Sequence, residues 1–207
     1  RPPVTRGLAR DGTVLAELYE ERRTVVPIHK IPTEMKVAAL AAEDADFYDH
    51  QGLDYLGMLR ALVVNLRAGR MKQGGRTITQ QVVKNVLLTH ERTFERKARE
   101  VLLARSIEQE LSKDEILELY LNHIYFGHGR YGVEEAARYY FGKGVDQLSL
   151  SEAAVIDGLA KGPGIYSPRV DMERSRVRRD QVLDQMVAKR MASLAAVRAA
   201  KAEPIVL

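Results

Sequence analysis

Apolar residues recur at the spacing of an α-helix along most of this chain. After Asp54, a suitable N-cap, leucines and a valine fall on one helical face as far as residue 66, and Gly69 ends the pattern. Further helices are predicted to begin at Pro32, near Thr79 and near Thr93. The pattern therefore predicts a mainly α protein with a minor β contribution.

Helix starts are also marked by capping signals. Ser112 with Glu115, and Ser149 with Glu152, each form a capping box, in which the two side chains bond each other's backbone N–H groups. Asp171 is a suitable N-cap for the last long helix. These signals predict three helices in the second half of the chain.

The 207 residues fit one domain, with room for a small lobe. Residues 1–31 read as an irregular segment with a short strand, and residues 32–190 as the main domain. Residues 191–207 read as a tail or the start of a linker, since the Ala-rich end is expected to fray. The chain begins at Arg1 and shows no signal-peptide pattern, so we expect it to be a piece of a longer protein.

The composition is that of a folded globular protein, with 45% hydrophobic and 29% charged residues. The net charge of +4 comes from 32 basic residues interleaved with 28 acidic ones. This balance does not favour a nucleic-acid partner and fits an anionic substrate or an anionic membrane surface equally well. No run of about 18 apolar residues occurs, and the chain has no cysteine for a disulfide.

The stretch 41–54, AAEDADFYDHQGLD, places ionisable groups where a helix gives way to a turn. Its carboxylates Glu43 and Asp44 are adjacent, so on a helix they point about 100° apart and cannot face each other. One interpretation is a solvated helix end, and the other is that one of the two is catalytic. His50 on its own is more typical of a structural histidine.

A second group of charges follows a helix face, because Arg92, Arg96 and Glu100 are spaced by four residues and Lys97 lies beside them. The simple interpretation is a ladder of surface ion pairs. The alternative is a cationic strip for a phosphate-bearing ligand, in which the neighbouring cations keep Glu100 ionised.

The loop 74–85, GGRTITQQVVKN, gathers hydroxyl and amide side chains at a helix start. It lacks the Gly-Lys-Ser/Thr ending of a P-loop and the spacing of a dinucleotide fingerprint. Such side chains suit hydrogen bonds to a sugar or a phosphate, although a simple capped loop would have the same composition. No Cys/His cluster with zinc spacing is present, and a magnesium-type carboxylate site is possible but not specified.

In this order the segments resemble the peptidoglycan glycosyltransferase domain, glycosyltransferase family 51, of class A penicillin-binding proteins and monofunctional wall polymerases. The resemblance covers about residues 11–190. The matching motifs are Glu43-Asp44-x-x-Phe47-x-x-His50-x-Gly52, Gly75-Arg76-Thr77-Ile78-Thr79-Gln80-Gln81, Arg96-Lys97-x-x-Glu100 and Lys113–Gly127. The runs Gly129–Gly142 and Leu148–Pro168 are similar to the rest of the family's domain.

The resemblance implies a lysozyme-like helical head with a small mobile jaw, at about residues 55–92, that touches the membrane. It implies β-1,4 polymerisation of lipid II, with a lipid-linked glycan strand as donor and release of undecaprenyl pyrophosphate. The place would be the outer face of the bacterial cytoplasmic membrane. A fused transpeptidase domain and other wall-synthesis proteins are the implied partners. Mg²⁺ or Mn²⁺ would assist, and neither an organic cofactor nor nucleic acid is expected.

By the same resemblance, Glu43 is the base that deprotonates the acceptor hydroxyl, and Glu100 is the second essential carboxylate, near the pyrophosphate. Asp44 is interpreted as a neighbour of Glu43 with a mainly structural role. The residues implied in substrate binding are Asp44, Phe47, His50, Arg76, Thr77, Thr79, Gln80, Gln81, Lys84, Arg92, Arg96 and Lys97. Fixed cations among them would stabilise a departing pyrophosphate.

This chain departs from the family pattern in two places. Arg76 stands where the family usually has Ser, and the segment 160–164 lacks the commoner Ala-Pro pair. Two rival hypotheses are a lysozyme-like enzyme that cleaves glycan, which needs no cationic strip for a pyrophosphate, and a non-catalytic scaffold of wall synthesis. Intact Glu43 and Glu100 argue against the scaffold.

Overall fold

A computed structural model of the chain describes residues 24–53, 59, 63, 66–69, 76–87 and 94–207. The α-helices in these ranges are α1 (Thr33–Glu43), α2 (Ile78–Val82), α3 (Phe94–Glu110), α4 (Lys113–His123), α5 (Val133–Phe141), α6 (Leu150–Leu159), α7 (Pro163–Tyr166), α8 (Met172–Ala188) and α9 (Leu194–Ala202). Short 3₁₀ helices cover Ile28–Lys30 and Val145–Gln147. A π-helical turn, Val83–Leu87, continues α2. The described residues contain no strand beyond a bridge between Tyr125 and Tyr131, which confirms the mainly α class. None of their helices is both long and apolar enough to cross a bilayer.

Three predicted helix starts are confirmed by their caps. Ser112 and Glu115 exchange side-chain-to-backbone hydrogen bonds of 3.1 and 3.2 Å ahead of α4. Ser149 and Glu152 do the same at 2.9 and 3.2 Å ahead of α6. Asp171 accepts a 3.1 Å bond from the backbone N–H three residues further on, at the start of α8. Each cap satisfies N–H groups that a helix leaves unpaired at its first turn.

Two elements differ from expectation. Helix α2 begins before Thr79, because Thr77 and Gln80 form a capping box that the sequence reasoning did not single out. The C-terminal end is also helical over Leu194–Ala202 instead of frayed, since α9 buries Val197 against the neighbouring helices. Local alanine content alone did not reveal that packing.

The chain divides into two compact units, each with its own core. The first contains Asp46–Tyr120 and the second contains residues 24–45 with Leu121–Leu207, so the division falls within α4. In the first unit α2 and the π-helical turn pack against α3. Of the predicted jaw, about residues 55–92, the structure describes residues 59, 63, 66–69 and 76–87, which include α2 and the π-helical turn. The rest of the jaw and most of the predicted N-terminal segment lie outside the described residues.

The second unit is built around the contacts of α1, α6, α8 and α9. Small side chains on α1 and α6 let these helices approach closely, and larger ones from α8 fill the remaining space. The buried cluster consists of Ala38, Ala41, Ala154, Val182, Leu183, Met186, Val197 and Ala200. This packing holds the C-terminal end of α1, which carries Glu43, on the same core as α6 and α8.

Two buried polar side chains tie the second unit together. Asn122 bonds both backbone groups of Val26, at 2.8 and 2.9 Å, and so anchors the segment before α1. The buried Arg179 guanidinium donates to the Ser151 hydroxyl at 3.2 Å and to the carbonyls of Lys201 and Glu203 at 3.0 and 2.6 Å. Its buried charge is therefore well hydrogen-bonded, as a buried cation requires.

Candidate active site

The carboxylate proposed as the base lies at the end of a helix in the second unit. Glu43 is the last residue of α1 and is partly buried. Asp44 follows as the C-cap, where its backbone N–H donates to the carbonyl of Leu40 at 2.9 Å, and its side chain is buried. The adjacent acids thus occupy different positions, one on the helix and one just past it.

A further acid, Asp157, comes from α6. It is only 1% exposed, and its buried Oδ2 has no hydrogen-bond partner among the described residues. Burial first, and then the charge of Glu43, raise the pKa of Asp157 to about 8. Glu43 and Asp157, which we call the acid pair, therefore interact across the contact between α1 and α6.

A cation from α8 completes the surroundings of the acid pair. Arg178 packs over Gly158, since a Cβ at that glycine would lie 2.8 Å from Arg178 Cγ. Its guanidinium carbon lies 5.8 Å from the centre of the Tyr166 ring. The charge of Arg178 favours ionised Asp157, but burial and Glu43 outweigh it. Three helices of the second unit thus contribute ionisable groups that interact at Asp157.

The other proposed carboxylate, Glu100, belongs to the first unit and lies on α3. Its Oε1 accepts from Arg76 Nε at 2.9 Å and from Lys97 Nζ at 3.1 Å, and its Oε2 accepts from Arg76 Nη2 at 3.2 Å. We call these three residues the Glu100 ion cluster. The Glu100 side chain is 1% exposed, whereas those of Arg76 and Lys97 are 40% and 50% exposed.

The ion cluster keeps Glu100 charged. Burial alone would raise the pKa of Glu100, but the hydrogen bonds and charges of Arg76 and Lys97 hold that pKa below its ordinary value. The carboxylate lies inside while both cations reach solvent, so the cluster presents positive charge outward. Such an arrangement can attract an anion such as a phosphate while the carboxylate fixes the cations in place.

Within the first unit, a hydrogen bond joins Gly52, at the end of the motif that begins at Glu43, to Thr77 of the motif that begins at Gly75. The Thr77 hydroxyl donates to the Gly52 carbonyl at 2.7 Å and accepts from the backbone of Gln80 at 3.1 Å. Gly52 has φ +92°, and a Cβ there would lie 3.1 Å from the carbonyl oxygen of Ala104. Both the conformation and the space at this position favour glycine.

Several predicted binding side chains lie inside this unit. The Thr79 hydroxyl donates to Glu108 at 2.6 Å, and Lys113 donates to the same carboxylate at 2.7 Å. The Lys113 ammonium also lies 4.4 Å from the centre of the buried Phe47 ring. His50 Nδ1 accepts a 3.0 Å bond from a nearby backbone N–H. In this structure these groups position backbone and neighbouring side chains, and their contact with substrate stays a prediction.

The remaining predicted residues are described in part. Gln81 accepts a 3.5 Å hydrogen bond from the Tyr120 hydroxyl. Lys84 lies on the π-helical turn and is partly buried. Arg96 belongs to α3 but its side chain lies outside the described residues, as does all of Arg92. Of the predicted cationic clamp, the structure therefore describes the Lys97 contact with Glu100 and the placement of Lys84.

Residues 11–187 match the family model of the transglycosylases. The chain belongs to the transglycosylase family.

Relatives of this transglycosylase chain are similar over most of its length. Penicillin-binding protein 1A of Escherichia coli is 51% identical over 177 residues, which are 86% of this chain and 21% of that protein. Penicillin-binding protein 1A of Rickettsia bellii is 44% identical over the whole chain and 26% of its own length. The crystal structure of penicillin-binding protein 1A from Haemophilus influenzae superposes with a TM-score of 0.54 at 29% identity, covering 90% of this chain and 18% of that one. The chain thus spans about a quarter or less of these relatives.

Sequence reasoning missed two groups in this transglycosylase chain. Asp157 interacts electrostatically with Glu43 and with Arg178, yet neither Asp157 nor Arg178 was predicted as a site residue. One signal was available, because Asp157 is the lone acid within the apolar run AAVIDGLA. A charged residue in an otherwise buried helix face needs a reason, and here the neighbouring carboxylate of Glu43 suggests one.

Proposed function

We propose that this chain is a peptidoglycan glycosyltransferase that polymerises lipid II into β-1,4-linked glycan strands. The reaction proceeds with inversion at the anomeric carbon of the donor and releases undecaprenyl pyrophosphate. The observation that carries the proposal is the match of residues 11–187 to the transglycosylase family. The chemistry of the two carboxylate sites supports it.

The base in this proposal is Glu43. As the 4-hydroxyl of the acceptor lipid II attacks the anomeric carbon of the donor, its proton passes to the Glu43 carboxylate. The new bond joins that oxygen to the anomeric carbon, while the bond from this carbon to the pyrophosphate oxygen breaks. Attack on the side opposite the leaving group gives inversion. Glu43 is suited to this role because a carboxylate at a partly buried helix end can both contact substrate and respond to its neighbours.

The Glu100 ion cluster would handle the leaving group. A departing pyrophosphate gathers negative charge as the bond breaks, so cations that meet it then stabilise the transition state more than the ground state. Arg76 and Lys97 are half exposed and fixed from behind by Glu100. Fixed cations lose less freedom when the transition state forms than mobile ones. Glu100 therefore acts by positioning the cations.

Assistance by Mg²⁺ or Mn²⁺ stays a prediction from the resemblance. Among the described residues, no three His, Asp or Glu side chains are grouped closely enough to hold a metal ion. Arg76 and Lys97 already place two positive charges beside Glu100. The steps proposed above are written for side chains of this chain.

The proposed reaction also implies a setting. Lipid II and the growing strand are both lipid-linked, so the chain would work against a membrane surface, at the outer face of the bacterial cytoplasmic membrane. Because the chain spans about a quarter or less of its penicillin-binding protein relatives, a transpeptidase domain in the same protein is part of this proposal. Other wall-synthesis proteins would be further partners.

Incubation of the protein with labelled lipid II, and separately with polymerised glycan, tests the proposal. We expect lipid II to be converted into β-linked strands with release of undecaprenyl pyrophosphate, and the polymer to stay intact. Cleavage of the polymer without synthesis would instead support the lysozyme-like hydrolase. If neither substrate changes while the protein is folded, the non-catalytic scaffold is supported.

A further inference from the structure

Asp157 is an acid without an evident structural task. It lies on α6 within the helical core of the second unit and is 1% exposed. One of its carboxyl oxygens, Oδ2, is buried and forms no hydrogen bond within the described part of the chain. A buried carboxylate held for stability alone would normally be paired and fully hydrogen-bonded.

The charges that act on Asp157 come from two neighbouring helices. α1 contributes Glu43, and α8 contributes Arg178, which packs over the adjacent Gly158. α7 has no charged residue. On α5, Arg138 pairs with Glu134, and Glu135 pairs with Arg130.

On α9, Lys201 pairs with Asp184, and Arg198 is exposed.

Two carboxyl groups that interact at a buried site do not ionise independently. Once the first group has lost its proton, its negative charge raises the pKa of the second. Over a range of pH the pair therefore holds one proton. Asp157 is the more buried member, and a buried carboxyl favours the neutral form. Glu43 is partly exposed at the helix end and so is the member better solvated when charged.

We propose that Asp157 is a positioning residue that retains a proton beside Glu43, so that Glu43 is the ionised member of the acid pair and serves as the base. This rests on the proposed function, in which Glu43 accepts the acceptor's hydroxyl proton. The active form is then the pair with a single proton. With two protons Glu43 cannot act as a base, and with none the two carboxylates repel and Glu43 is displaced from its position.

The test is the pH–rate profile of lipid II polymerisation, measured as kcat/KM for the wild type, Asp157→Asn and a control. Asn resembles the protonated acid in shape and cannot ionise. The control is Asp184→Asn, which makes the same substitution at an exposed residue of α8 that pairs with Lys201. Circular dichroism and thermal melts at each pH establish that every variant is folded over the range compared.

For the wild type and Asp184→Asn we expect an alkaline limb near pH 8, the pKa of Asp157, so that about one-tenth of the activity remains at pH 9. Asp157→Asn should lose this limb and keep more than about half of its pH 7 activity at pH 9, while its acid limb stays in place. Superimposable profiles for all three proteins would overturn the role of Asp157. So would a variant in which the acid limb moves and the alkaline limb persists.

Two further outcomes keep the inference separate from the function on which it rests. If the wild type makes no glycan at any pH, the proposed function fails and the role of Asp157 fails with it. If the wild type makes glycan without an alkaline limb near pH 8, only the role of Asp157 fails. The alkaline limb is measured on the wild type alone, so its absence overturns the role of Asp157 even where Asp157→Asn does not fold.

Discussion

The two units of this chain each bury a carboxylate, but in opposite electrostatic surroundings. In the first unit Glu100 is hydrogen-bonded by Arg76 and Lys97, which hold its pKa below the ordinary value. In the second unit Asp157 is buried beside another acid, Glu43, and its pKa rises to about 8. Similar degrees of burial therefore give an acid that stays ionised and an acid that keeps its proton near neutral pH.

Burial raises the pKa of a carboxyl group, and its charged partners either oppose or reinforce that effect. An acid paired with two cations cannot readily accept a proton, so Glu100 suits the fixing of cations near a phosphate. An acid pair exchanges protons near neutral pH and suits acid–base chemistry. In the proposed polymerase the two tasks, proton transfer and leaving-group stabilisation, are thus divided between two carboxylate sites.

The largest expected effect comes from removing the base. Glu43→Gln should lower the rate of lipid II polymerisation by about 10²–10⁴-fold, because the amide cannot accept the hydroxyl proton. The measurement is strand synthesis at saturating lipid II, with circular dichroism to show that the fold is kept. Glu34→Gln, in the exposed first turn of the same helix, is the matched control and should leave the rate unchanged. Near-normal synthesis by Glu43→Gln would remove the role assigned to that residue.

Removing the negative charge of Glu100 should lower activity somewhat less than removing the base. Glu100→Gln leaves Arg76 and Lys97 without the carboxylate that fixes them, so we expect about a 10²-fold loss of kcat/KM for lipid II. Glu110→Gln, exposed at the end of the same helix, serves as the control. Equal kcat/KM for Glu100→Gln and the control would mean that the cations act without being held by Glu100.

The acid pair should also affect stability, in a direction opposite to that of Glu100. Because the folded-state pKa of Asp157 is raised from 3.8 to about 8, the folded protein holds a proton that the unfolded chain releases, and stability falls as pH rises between those values. Asp157→Asn should therefore raise the free energy of unfolding at pH 8 by on the order of 1–3 kcal/mol, and by little at pH 4. Urea denaturation at both pH values measures this. A variant equally destabilised at both would show that Asp157 is ionised and paired in the folded state.

The smallest expected effect concerns the departure at the second motif. Arg76→Lys replaces a two-pronged contact with Glu100 by a single one. Because Arg76 is 40% exposed, solvent screening limits the change to about 2–5-fold in kcat/KM for lipid II. Lys97→Arg, which keeps the other cation, should change kcat/KM less. A larger effect than that of Glu100→Gln would indicate that Arg76 contacts substrate directly.

Local signals predicted much of the helical fold, and long-range contacts accounted for what they missed. The starts at Ser112, Ser149 and Asp171 depend on side chains three residues or less away, so the sequence was enough. The helix at Leu194–Ala202 depends on packing against α8 and α6, which its Ala-rich composition does not reveal.

The same distinction holds for the candidate site. Glu43 and Glu100 were predicted through the family resemblance, and Lys97 lies one helical turn from Glu100. The pairing of Arg76 with Glu100 joins residues 24 positions apart. The effect of Glu43 on Asp157 depends on the packing of α1 on α6. Spacing along one helix can indicate the contact between Lys97 and Glu100. The other two interactions depend on the tertiary fold.

The contrast between the two carboxylate sites can be measured directly by titrating carboxyl groups with ¹³C NMR in the protein labelled at Asp and Glu. We predict one Asp carboxyl that titrates near pH 8 and is absent in Asp157→Asn. We also predict one Glu carboxyl that stays ionised as the pH falls below 4.5 and is absent in Glu100→Gln. If the Asp157 carboxyl instead titrates near its ordinary value of 3.8, the two sites do not differ as described and the division of labour between them is contradicted.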